Sequence, residues 1–401
     1  MKKHLEKLGN FYFRSERILR NDIPIHQIFL FLIIFQISCF GCIAQKTVFE
    51  YKIIPDNYLP TNEDLRNFKN ESDSIKRNAY DLTQDLPTGF VTNGTVDYTN
   101  FLQQAIDKYQ IVVFPNFPIL INKKGLSLRS NTTLIFQEHS VIILAPNAEQ
   151  SYAMLSVKKV ENINLYFPKL KGDRQSHLGK LGEWGWGIFI WDSKNIKIVN
   201  PNVADCWGDG IDIGGGSDEI SCYYPVLDNN RRNGLTISNV SNLLVENGII
   251  ANTNGTSPAS GVDIEPGDGK GELKNITINN LVTFNNNSFG IVVSLTAFVS
   301  DVQKEINLTI SNCTDDGSNY GMGYAFGRSK KDDLIYAKGS INIINPVWKN
   351  SRSGQLWLPY YASKNTVKLK IENPKVFENG ELMRTPLKPI ILSNSKNIII
   401  N

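Results

Sequence analysis

Four carboxylates stand at related places in short segments that begin with glycine. They are Asp209 and Asp212, in Gly208-Asp-Gly-Ile-Asp-Ile-Gly, and Asp263 and Glu265, in Gly261-Val-Asp-Ile-Glu. If these segments are stacked strands, Asp263 and Glu265 share one face with about 6 to 7 Å between their Cβ atoms, and Asp212 lies about 9 to 10 Å away. Inverting hydrolysis of a glycosidic bond needs an acid and a base about 6.5 to 9.5 Å apart. The spacing therefore predicts catalytic carboxylates, with a solvated acidic edge or a calcium site as the alternative.

Basic and aromatic residues gather near the same segments. Arg231 and Arg232 come just before Gly234, where they could hold a carboxylate or lower the pKa of a neighbouring acid. Four of the six tryptophans fall within 24 residues; exposed indoles can stack on sugars, although indole is also ordinary core filling. We expect the polar loop 171–186 to overhang this face, although a structural role is the alternative for His177. The predicted substrate-binding residues are Asp173, Arg174, His177, Glu183, Trp184, Trp186, Trp207, Arg231 and Arg232.

Two kinds of short strand alternate along the chain and must position these side chains. One kind starts with glycine: Gly187-Ile-Phe-Ile-Trp, Gly210-Ile-Asp-Ile-Gly, Gly234-Leu-Thr-Ile-Ser, Gly261-Val-Asp-Ile-Glu and Gly290-Ile-Val-Val-Ser. The other kind starts with asparagine: Asn195-Ile-Lys-Ile-Val-Asn, Asn242-Leu-Leu-Val-Glu-Asn, Asn275-Ile-Thr-Ile-Asn-Asn and Asn307-Leu-Thr-Ile-Ser-Asn. Repetition at this period, with alternate apolar residues, indicates a β-solenoid.

The glycine-initiated strands predict which side chains share a column. Their first and third residues after glycine are apolar throughout and should point inward, so the second and fourth should point outward. The expected exposed columns are Phe189, Asp212, Thr236, Asp263 and Val292, and beside them Trp191, Gly214, Ser238, Glu265 and Ser294.

We predict an all-β fold, a right-handed parallel β-helix with a short N-terminal capping helix. Asn247, Asn280, Asn312 and Asn345 are spaced 33, 32 and 33 residues apart, which predicts an asparagine ladder at one corner of successive coils. The capping helix is expected after Asp97, because the next apolar residues fall on one helical face; they are Tyr98, Phe101, Leu102, Ala105 and Ile106. A cap would cover the open core and strand edges of the first coil.

The N-terminal residues predict export. In residues 1–44, basic side chains precede an apolar stretch from Ile28 to Ile37, as in a signal peptide. The stretch is shorter than the roughly 20 residues of a membrane-spanning helix, and a permanent anchor or a lipid on Cys39 or Cys42 is the alternative. We expect residues 45–96 to form a partly helical extension and residues 97–401 a single β-helix domain, located in the periplasm, outside the cell or on its surface.

Charge and cysteine content exclude some function classes. Residues 1–44 hold six of the 42 basic and three of the 39 acidic side chains, so the remainder is neutral and lacks the positive field that nucleic-acid binding requires. The three cysteines after residue 44 have no CxxC spacing and predict no zinc site. Cys206 and Cys222 could pair after export or remain buried thiols.

The motif around Asp209 resembles a known family. Trp207-Gly-Asp-Gly-Ile-Asp-Ile is similar to the Asn-Thr-Asp-Gly-Ile-Asp-Ile motif of family 28 glycoside hydrolases, the polygalacturonase relatives in the pectin-lyase-like right-handed parallel β-helix superfamily. The resemblance covers roughly residues 97–294 and implies that Asp209 is a catalytic carboxylate. Two family motifs differ here: Arg232-Asn233-Gly234 replaces a paired Asp-Asp, and Ser260-Gly261-Val262 replaces Gly-His-Gly. The resemblance therefore implies the fold with a divergent active site.

Three functions fit these residues. The first is an exported polysaccharide-degrading enzyme that inverts, with Glu265 or Asp263 as acid and Asp209 or Asp212 activating water; it requires no cofactor. The second is a lyase or epimerase acting on uronic acids, with a basic side chain removing a proton and calcium held by Asp209, Asp212 or Asp263. The third is a non-catalytic glycan-binding or adhesive solenoid. In each case the partner is a polysaccharide or oligosaccharide, acidic or neutral.

Overall fold

The computed structural model of the chain describes residues 48–267, 271–298, 304–325, 337–358, 366–383, 390–391 and 398–401. From Glu50 onward the described chain forms one compact unit. The predicted signal peptide of residues 1–44 and the alternative lipid sites at Cys39 and Cys42 lie outside the described residues. Within the described part of the chain, no helix is long and apolar enough to cross a membrane.

The strands wind into a right-handed parallel β-helix of about nine turns, which confirms the predicted fold class. The described strands form three sheets of 12, 11 and 10 strands, and neighbours in each sheet come from successive coils. Sheet pairing is parallel except between the last two strands of sheet 2. Each coil therefore adds one strand to each sheet, which places residues about one coil apart in sequence side by side.

The strands have the following bounds. Sheet 1 contains β1 (Tyr80–Asp81), β2 (Ile111–Val113), β5 (Thr133–Ile135), β8 (Glu161–Tyr166), β11 (Lys194–Val199), β14 (Ser217–Tyr223), β17 (Val240–Glu246), β20 (Leu273–Asn279), β23 (Lys304–Ser311), β26 (Ala337–Ile344), β29 (Thr366–Glu372) and β33 (Ile398–Ile400). Sheet 2 contains β3 (Pro118–Ile121), β6 (Val141–Leu144), β9 (Lys169–Lys171), β12 (Asn202–Ala204), β15 (Val226–Asp228), β18 (Ile249–Ala251), β21 (Val282–Phe284), β24 (Thr314–Asp316), β27 (Val347–Lys349), β30 (Lys375–Glu378) and β31 (Glu381–Leu382). Sheet 3 contains β4 (Leu126–Ser127), β7 (Ser151–Lys158), β10 (Trp184–Trp191), β13 (Ile211–Gly214), β16 (Asn233–Ile237), β19 (Ser260–Ile264), β22 (Phe289–Ser294), β25 (Tyr320–Ala325), β28 (Gly354–Leu358) and β32 (Ile390–Ile391).

The core is a column of branched aliphatic side chains. The inward positions of the middle strands of sheet 3 are essentially inaccessible to solvent: Ile211, Ile213, Leu235, Ile237, Val262 and Ile264. They join one continuous hydrophobic cluster that runs through the coils. Because burial of such side chains drives folding, the alternation of apolar residues fixes which face of each strand points outward.

Asparagines at a corner form the predicted ladder. Asn247, Asn280, Asn312 and Asn345 all have positive φ, which Asn tolerates better than most residues. The amide of Asn280 donates to Asn247 at 2.7 Å and that of Asn345 to Asn312 at 2.9 Å. The link between these pairs differs from the prediction, since Asn312 donates to Asn279 at 3.0 Å.

The described residues contain two α-helices, α1 (Arg66–Lys76) and α2 (Thr99–Lys108). The backbone N–H of Thr99, the first residue of α2, donates to the Asp97 carboxylate at 2.9 Å. Leu102 and Ile106 of α2 enter the core cluster. Phe101 is 37% exposed, so its predicted place on the buried face is wrong: it lies at the edge of the apolar stripe. Sheet 1 begins earlier than expected, because β1 falls within residues 45–96.

Residues 50–58 form a strap along the outside of sheet 2 that ends in a short 3-10 helix, Asp56–Tyr58. The hydroxyl of Tyr51 donates to Asp228 at 2.8 Å, and that of Tyr58 donates to Asp316 at 2.7 Å. The backbone carbonyls of Lys52 and Glu50 accept from the side-chain amides of Asn252 and Asn285. The strap thereby ties together four successive coils.

The cysteines left open as a disulfide pair are free. Cys206, Cys222 and Cys313 are all buried thiols, and Cys206 and Cys222 lie on different sides of the coil, after β12 and within β14. The described fold is therefore held by its core, strand ladders and strap.

Candidate functional site

The predicted column exists in the structure. Phe189 on β10 pairs with Asp212 on β13, Asp212 with Thr236 on β16, and Thr236 with Asp263 on β19. Asp263 then pairs with Val292 on β22. In the neighbouring column Trp191 pairs with Gly214, and the Ser294 hydroxyl donates to Glu265 at 3.2 Å. Residues up to about a hundred positions apart in sequence thus lie in one column of sheet 3.

The prediction that this column is exposed is wrong. Asp212, Thr236 and Asp263 are only 7%, 6% and 1% exposed. They point away from the core, but they lie on the floor of a groove of about 520 Å³ whose walls cover them. The described lining residues are Trp184, Trp186, Phe189, Trp191, Asp212, Arg232, Thr236, Ser238, Asp263, Glu265, Pro266, Gly267 and Ala297.

Asp212 is the least satisfied carboxyl of the groove. Its Oδ1 is buried with no hydrogen-bond partner of good geometry among the described residues, and the same holds for Nε1 of Trp186. Burial and the charge of Asp209 raise the pKa of Asp212 to about 8, a rise that Arg232 and the Trp186 indole oppose. Asp212 is therefore mainly protonated near neutral pH.

Asp263 is likewise a buried carboxyl with a raised pKa. It accepts a hydrogen bond from the amide of Asn233 at 3.1 Å. Burial and the negative charge of Glu265 raise the pKa of Asp263 to about 7, against the opposing charge of Arg232. Glu265 follows two residues later and is only half-buried. Two carboxyls of different environment in the lining of one groove are the arrangement from which acid and base roles arise.

Asp209 lies beneath the groove and is fully buried. Its carboxylate accepts from the backbone N–H of Asn233 at 2.9 Å, from the hydroxyl of Thr236 at 2.9 Å and from Nη1 of Arg232 at 2.9 Å. Burial raises the pKa of Asp209, and Arg232 opposes the rise most strongly. Because these donors occupy both oxygens and the residue is absent from the described lining, Asp209 supports the site from below.

Arg232 connects the floor of the groove to its overhanging loop. Besides Asp209, it pairs through Nε with Glu183 at 3.3 Å, and its side chain is 17% exposed. Neighbouring carboxylates raise the pKa of Arg232 against the effect of burial, so it remains a cation. Its charge is shared between two carboxylates.

Aromatic rings build one wall as a continuous shelf, which we define as Trp186, Phe189 and Trp191. The Trp186 and Phe189 rings stack with centroids 4.3 Å apart, and Phe189 and Trp191 follow at 5.6 Å. Trp191 is 37% exposed, and Trp184 beside the shelf is 49% exposed. The sequence placed Phe189 and Trp191 in the outward columns but missed them as site residues. The signal was available, since aromatic residues occupy both outward positions of β10.

Several predicted binding residues instead anchor the loop. Asp173 is buried and accepts from the Tyr152 hydroxyl at 2.5 Å and from Asn147 at 2.9 Å, while Nδ1 of His177 lies 2.8 Å from it. Arg174 donates to the backbone carbonyl of Asn229 at 2.6 Å. None of these side chains belongs to the described lining of the groove.

Trp207 and Arg231 complete this anchor. The Trp207 ring stacks on His177 with centroids 4.0 Å apart, and the Arg231 guanidinium lies 3.8 Å from the Trp207 centroid. Arg231 also donates to the carbonyl of Gly182 at 2.8 Å. The structure thus divides the predicted set: Trp184, Trp186 and Arg232 line the groove, Glu183 pairs with Arg232, and the others hold the loop in place.

The described residues contain no group of three or more His, Cys, Asp or Glu side chains arranged to hold a metal ion. Of the three aspartates proposed for calcium, Asp212 and Asp263 line the groove, whereas Asp209 lies beneath it and is already surrounded by donors that compete with a cation. Their arrangement therefore differs from the convergent oxygen ligands that Ca²⁺ requires.

Comparison with known proteins gives fold neighbours and two sequence relatives. No protein family model matches the chain. It is 26% identical over 270 residues to the uncharacterized protein YclG of Bacillus subtilis, and 30% identical over 162 residues to the SPbeta prophage-derived uncharacterized protein YorA of the same organism. These matches cover 59% and 35% of this chain and 46% and 28% of the relatives. The chain thus spans about half or less of these curated relatives.

Solved structures share the β-helix at low sequence identity. The mannuronan C-5 epimerase AlgE6 A-module of Azotobacter vinelandii matches with a TM-score of 0.58 and 15% identity, over 80% of this chain and 98% of that module. A family 28 exopolygalacturonase of Yersinia enterocolitica matches at 0.56 and 13%, over 78% and 68%. The surface adhesin PfbA of Streptococcus pneumoniae matches at 0.54 and 15%, over 76% and 79%. The chain therefore shares the right-handed parallel β-helix fold of these structures, which is the fold that the resemblance around Asp209 implied.

Proposed function

We propose that the chain is an exported polysaccharide-active enzyme that hydrolyses glycosidic bonds with inversion in the sheet 3 groove. One observation carries this proposal: two carboxyls of different burial, Asp263 and Glu265, line the same groove, and burial raises the pKa of Asp263 to about 7, as expected of an acid and a base with separate roles. The mannuronan epimerase and the exopolygalacturonase among the fold neighbours support a carbohydrate partner. The apolar stretch near the N-terminus supports export.

In this proposal Asp263 is the general acid. Burial and the charge of Glu265 raise its pKa to about 7, so about half of the molecules carry this proton at pH 7 and more at lower pH. Its position on the groove floor allows it to donate to a leaving oxygen above it. Glu265 is the general base. It is half-buried at the rim, where water reaches it, and the hydroxyl of Ser294 orients it.

The structure gives reasons to revise the base that the sequence suggested. The pKa of Asp212 is about 8, so most of this carboxyl already carries its proton near neutral pH and cannot act as a base. In this proposal it is a neutral hydrogen-bond donor to the sugar. Asp209 lies below the floor with its oxygens engaged, so it fixes Arg232, Asn233 and Thr236 rather than activating water.

A panel of acidic and neutral polysaccharides, with and without a chelator, tests the proposal. We expect new reducing ends, and NMR of the first product should show an inverted anomeric centre. Asp263→Asn and Glu265→Gln should each lower the rate by at least about a hundredfold without loss of folding. The matched control Asp316→Asn, on sheet 2, should retain activity. Retention of the anomeric configuration, or full activity in either groove variant, would contradict the assignment.

A lyase or epimerase is the second candidate, because a cation, Arg232, stands among the carboxylates of the groove. In such chemistry a base removes the proton next to a uronate carboxyl, with calcium as an aid if it binds. An unsaturated product that absorbs ultraviolet light would indicate elimination. A change in C-5 configuration without chain shortening would indicate epimerisation, and loss of either activity with a chelator would indicate the metal.

A non-catalytic glycan-binding solenoid is the third candidate, favoured by the exposed rings of Trp184 and Trp191. It predicts saturable glycan binding with no product formed on any substrate of the panel. If this candidate is correct, Asp263→Asn leaves glycan binding unchanged and has no activity to remove. The same variant therefore separates this candidate from the two enzymes.

A further inference from the structure

The charges that line the groove are unevenly distributed. Among the described lining residues the acids are Asp212, Asp263 and Glu265, and the basic residue is Arg232. Arg232 is already paired with Asp209 at 2.9 Å and with Glu183 at 3.3 Å. A carboxylate entering the groove would therefore have to share a guanidinium that two protein carboxylates occupy.

This distribution opposes a polyuronate. Each uronate carboxylate would lose its hydration beside Glu265 and would disfavour ionisation of the buried aspartates, with Arg232 as the one compensating cation among the described lining residues. A neutral sugar carries no carboxylate and therefore avoids these costs. Its hydroxyls can donate to Glu265 and can exchange hydrogen bonds with the protonated Asp212 and the hydroxyl of Ser238.

The aromatic shelf supplies the second, independent observation. Trp191 is held flat by close packing on glycine: a Cβ on Gly215 would lie 2.6 Å from three atoms of the indole, and one on Gly214 would lie 2.9 Å from its edge. One face of the ring therefore rests on the next coil, and the shelf is fixed before any ligand binds. The exposed part of a preformed indole, 37% of Trp191, offers apolar surface to the C–H groups of a pyranose.

The shelf and the carboxyls lie at different coils of the same groove. β10 carries the aromatic rings, and β19 carries Asp263, three strands away across sheet 3. At about 4.8 Å per strand this separation is roughly 14 Å, which leaves room for sugar units between the stacked ring and the cleaved bond. The ligand would run across the strands, along the axis of the solenoid.

We propose that the groove selects a neutral glycan chain rather than a polyuronate, with one sugar stacked on the Trp186–Phe189–Trp191 shelf and the chain running toward Asp263 and Glu265. This inference rests on the proposed function for the position of the cleaved bond, but its binding part does not.

Binding to defined oligosaccharides tests the inference. The probes are neutral xylo-, manno-, gluco- and galacto-oligosaccharides and, as acidic probes, oligogalacturonate and oligomannuronate, titrated at pH 6 into the Asp263→Asn variant with tryptophan fluorescence as the readout. We expect at least one neutral probe to bind about tenfold or more tightly than either acidic probe, with an affinity that is insensitive to salt. Tighter binding of an acidic probe, weakened by salt, would overturn the inference.

Two variants give the test its control. Trp191→Ala should weaken the preferred neutral probe about tenfold, because it removes one stacking surface. Phe101→Ala removes a ring of the same 37% exposure on α2, outside the groove, and should leave the affinity unchanged. Equal effects of both variants, or none of Trp191→Ala, would contradict a site on the shelf.

Failure of this inference and failure of the proposed function give different results. Tight binding of a neutral probe that wild-type protein never cleaves would contradict the hydrolase and retain the selectivity. Cleavage of a polyuronate with inversion would retain the hydrolase and contradict the selectivity.

Discussion

Replacing Asp263 by asparagine should stabilise the fold at alkaline pH, because the groove holds this carboxyl in an unfavourable place for a charge. The pKa of Asp263 in the folded chain is about 7, against the 3.8 of a free side chain. The folded protein therefore binds this proton more tightly than the unfolded chain does. The contribution of Asp263 to stability is complete below pH 3.8, declines as the pH rises, and is lost above pH 7.

The magnitude follows from the difference between the two pKa values. At about 1.4 kcal/mol per pKa unit, ionisation of Asp263 costs the folded state about 4 kcal/mol in total. Because part of this cost is already present at pH 5, about 3 kcal/mol should appear between pH 5 and pH 9. An asparagine carries no charge at either pH and can still accept the hydrogen bond of Asn233.

Urea unfolding followed by tryptophan fluorescence measures this effect. The gain of Asp263→Asn over wild type should be about 3 kcal/mol larger at pH 9 than at pH 5. Comparison between the two pH values removes any packing cost that is independent of pH. Asp73→Asn, an exposed site on α1, is the control and should differ from wild type by less than about 0.5 kcal/mol at both pH values. An Asp263→Asn variant whose stability follows the wild-type pH dependence would refute the reasoning.

Three further predictions concern the acid, its arginine neighbour and the ladder. Initial hydrolysis rates should fall tenfold per pH unit above about pH 7, as Asp263 loses its proton; a rate that stays level to pH 9 would exclude it as the acid. Arg232→Met should lower the free energy of unfolding by about 3 to 5 kcal/mol, because it leaves Asp209 buried without its cation, and adding Asp209→Asn should restore most of the loss. Asn312→Ala should cost about 1 to 2 kcal/mol in urea unfolding through its lost ladder bonds and positive φ, whereas Asn312→Gly should recover the backbone share.

The stacking of residues was predictable from the chain, because it depends on local pattern. The apolar positions after Gly210, Gly234 and Gly261 must all face the core, and this fixes one register for the strands between them. The pairing of Asp212 with Thr236 and of Thr236 with Asp263 follows directly. The asparagine corners were predictable for the same reason, since positive φ is a local property.

Depth within the site was not predictable, because it depends on residues far away in sequence. Whether Asp212 is exposed is decided by Trp186 and Arg232, which come from neighbouring coils and cover it. The loop presented a second difficulty. Its polar residues look functional in sequence, but Asp173 is held by Tyr152, 21 residues earlier, and no local pattern connects the two.

The strap of residues 50–58 has a consequence for the order in which the chain acquires its structure. Tyr51 and Tyr58 are synthesised before every coil that they contact, and their partners Asp228 and Asp316 lie 177 and 258 residues later. Closing loops of that length costs more entropy than adding one coil to the next. The coils must therefore assemble first by local growth. The strap leaves the ribosome early but docks last, after the coils that it contacts have formed.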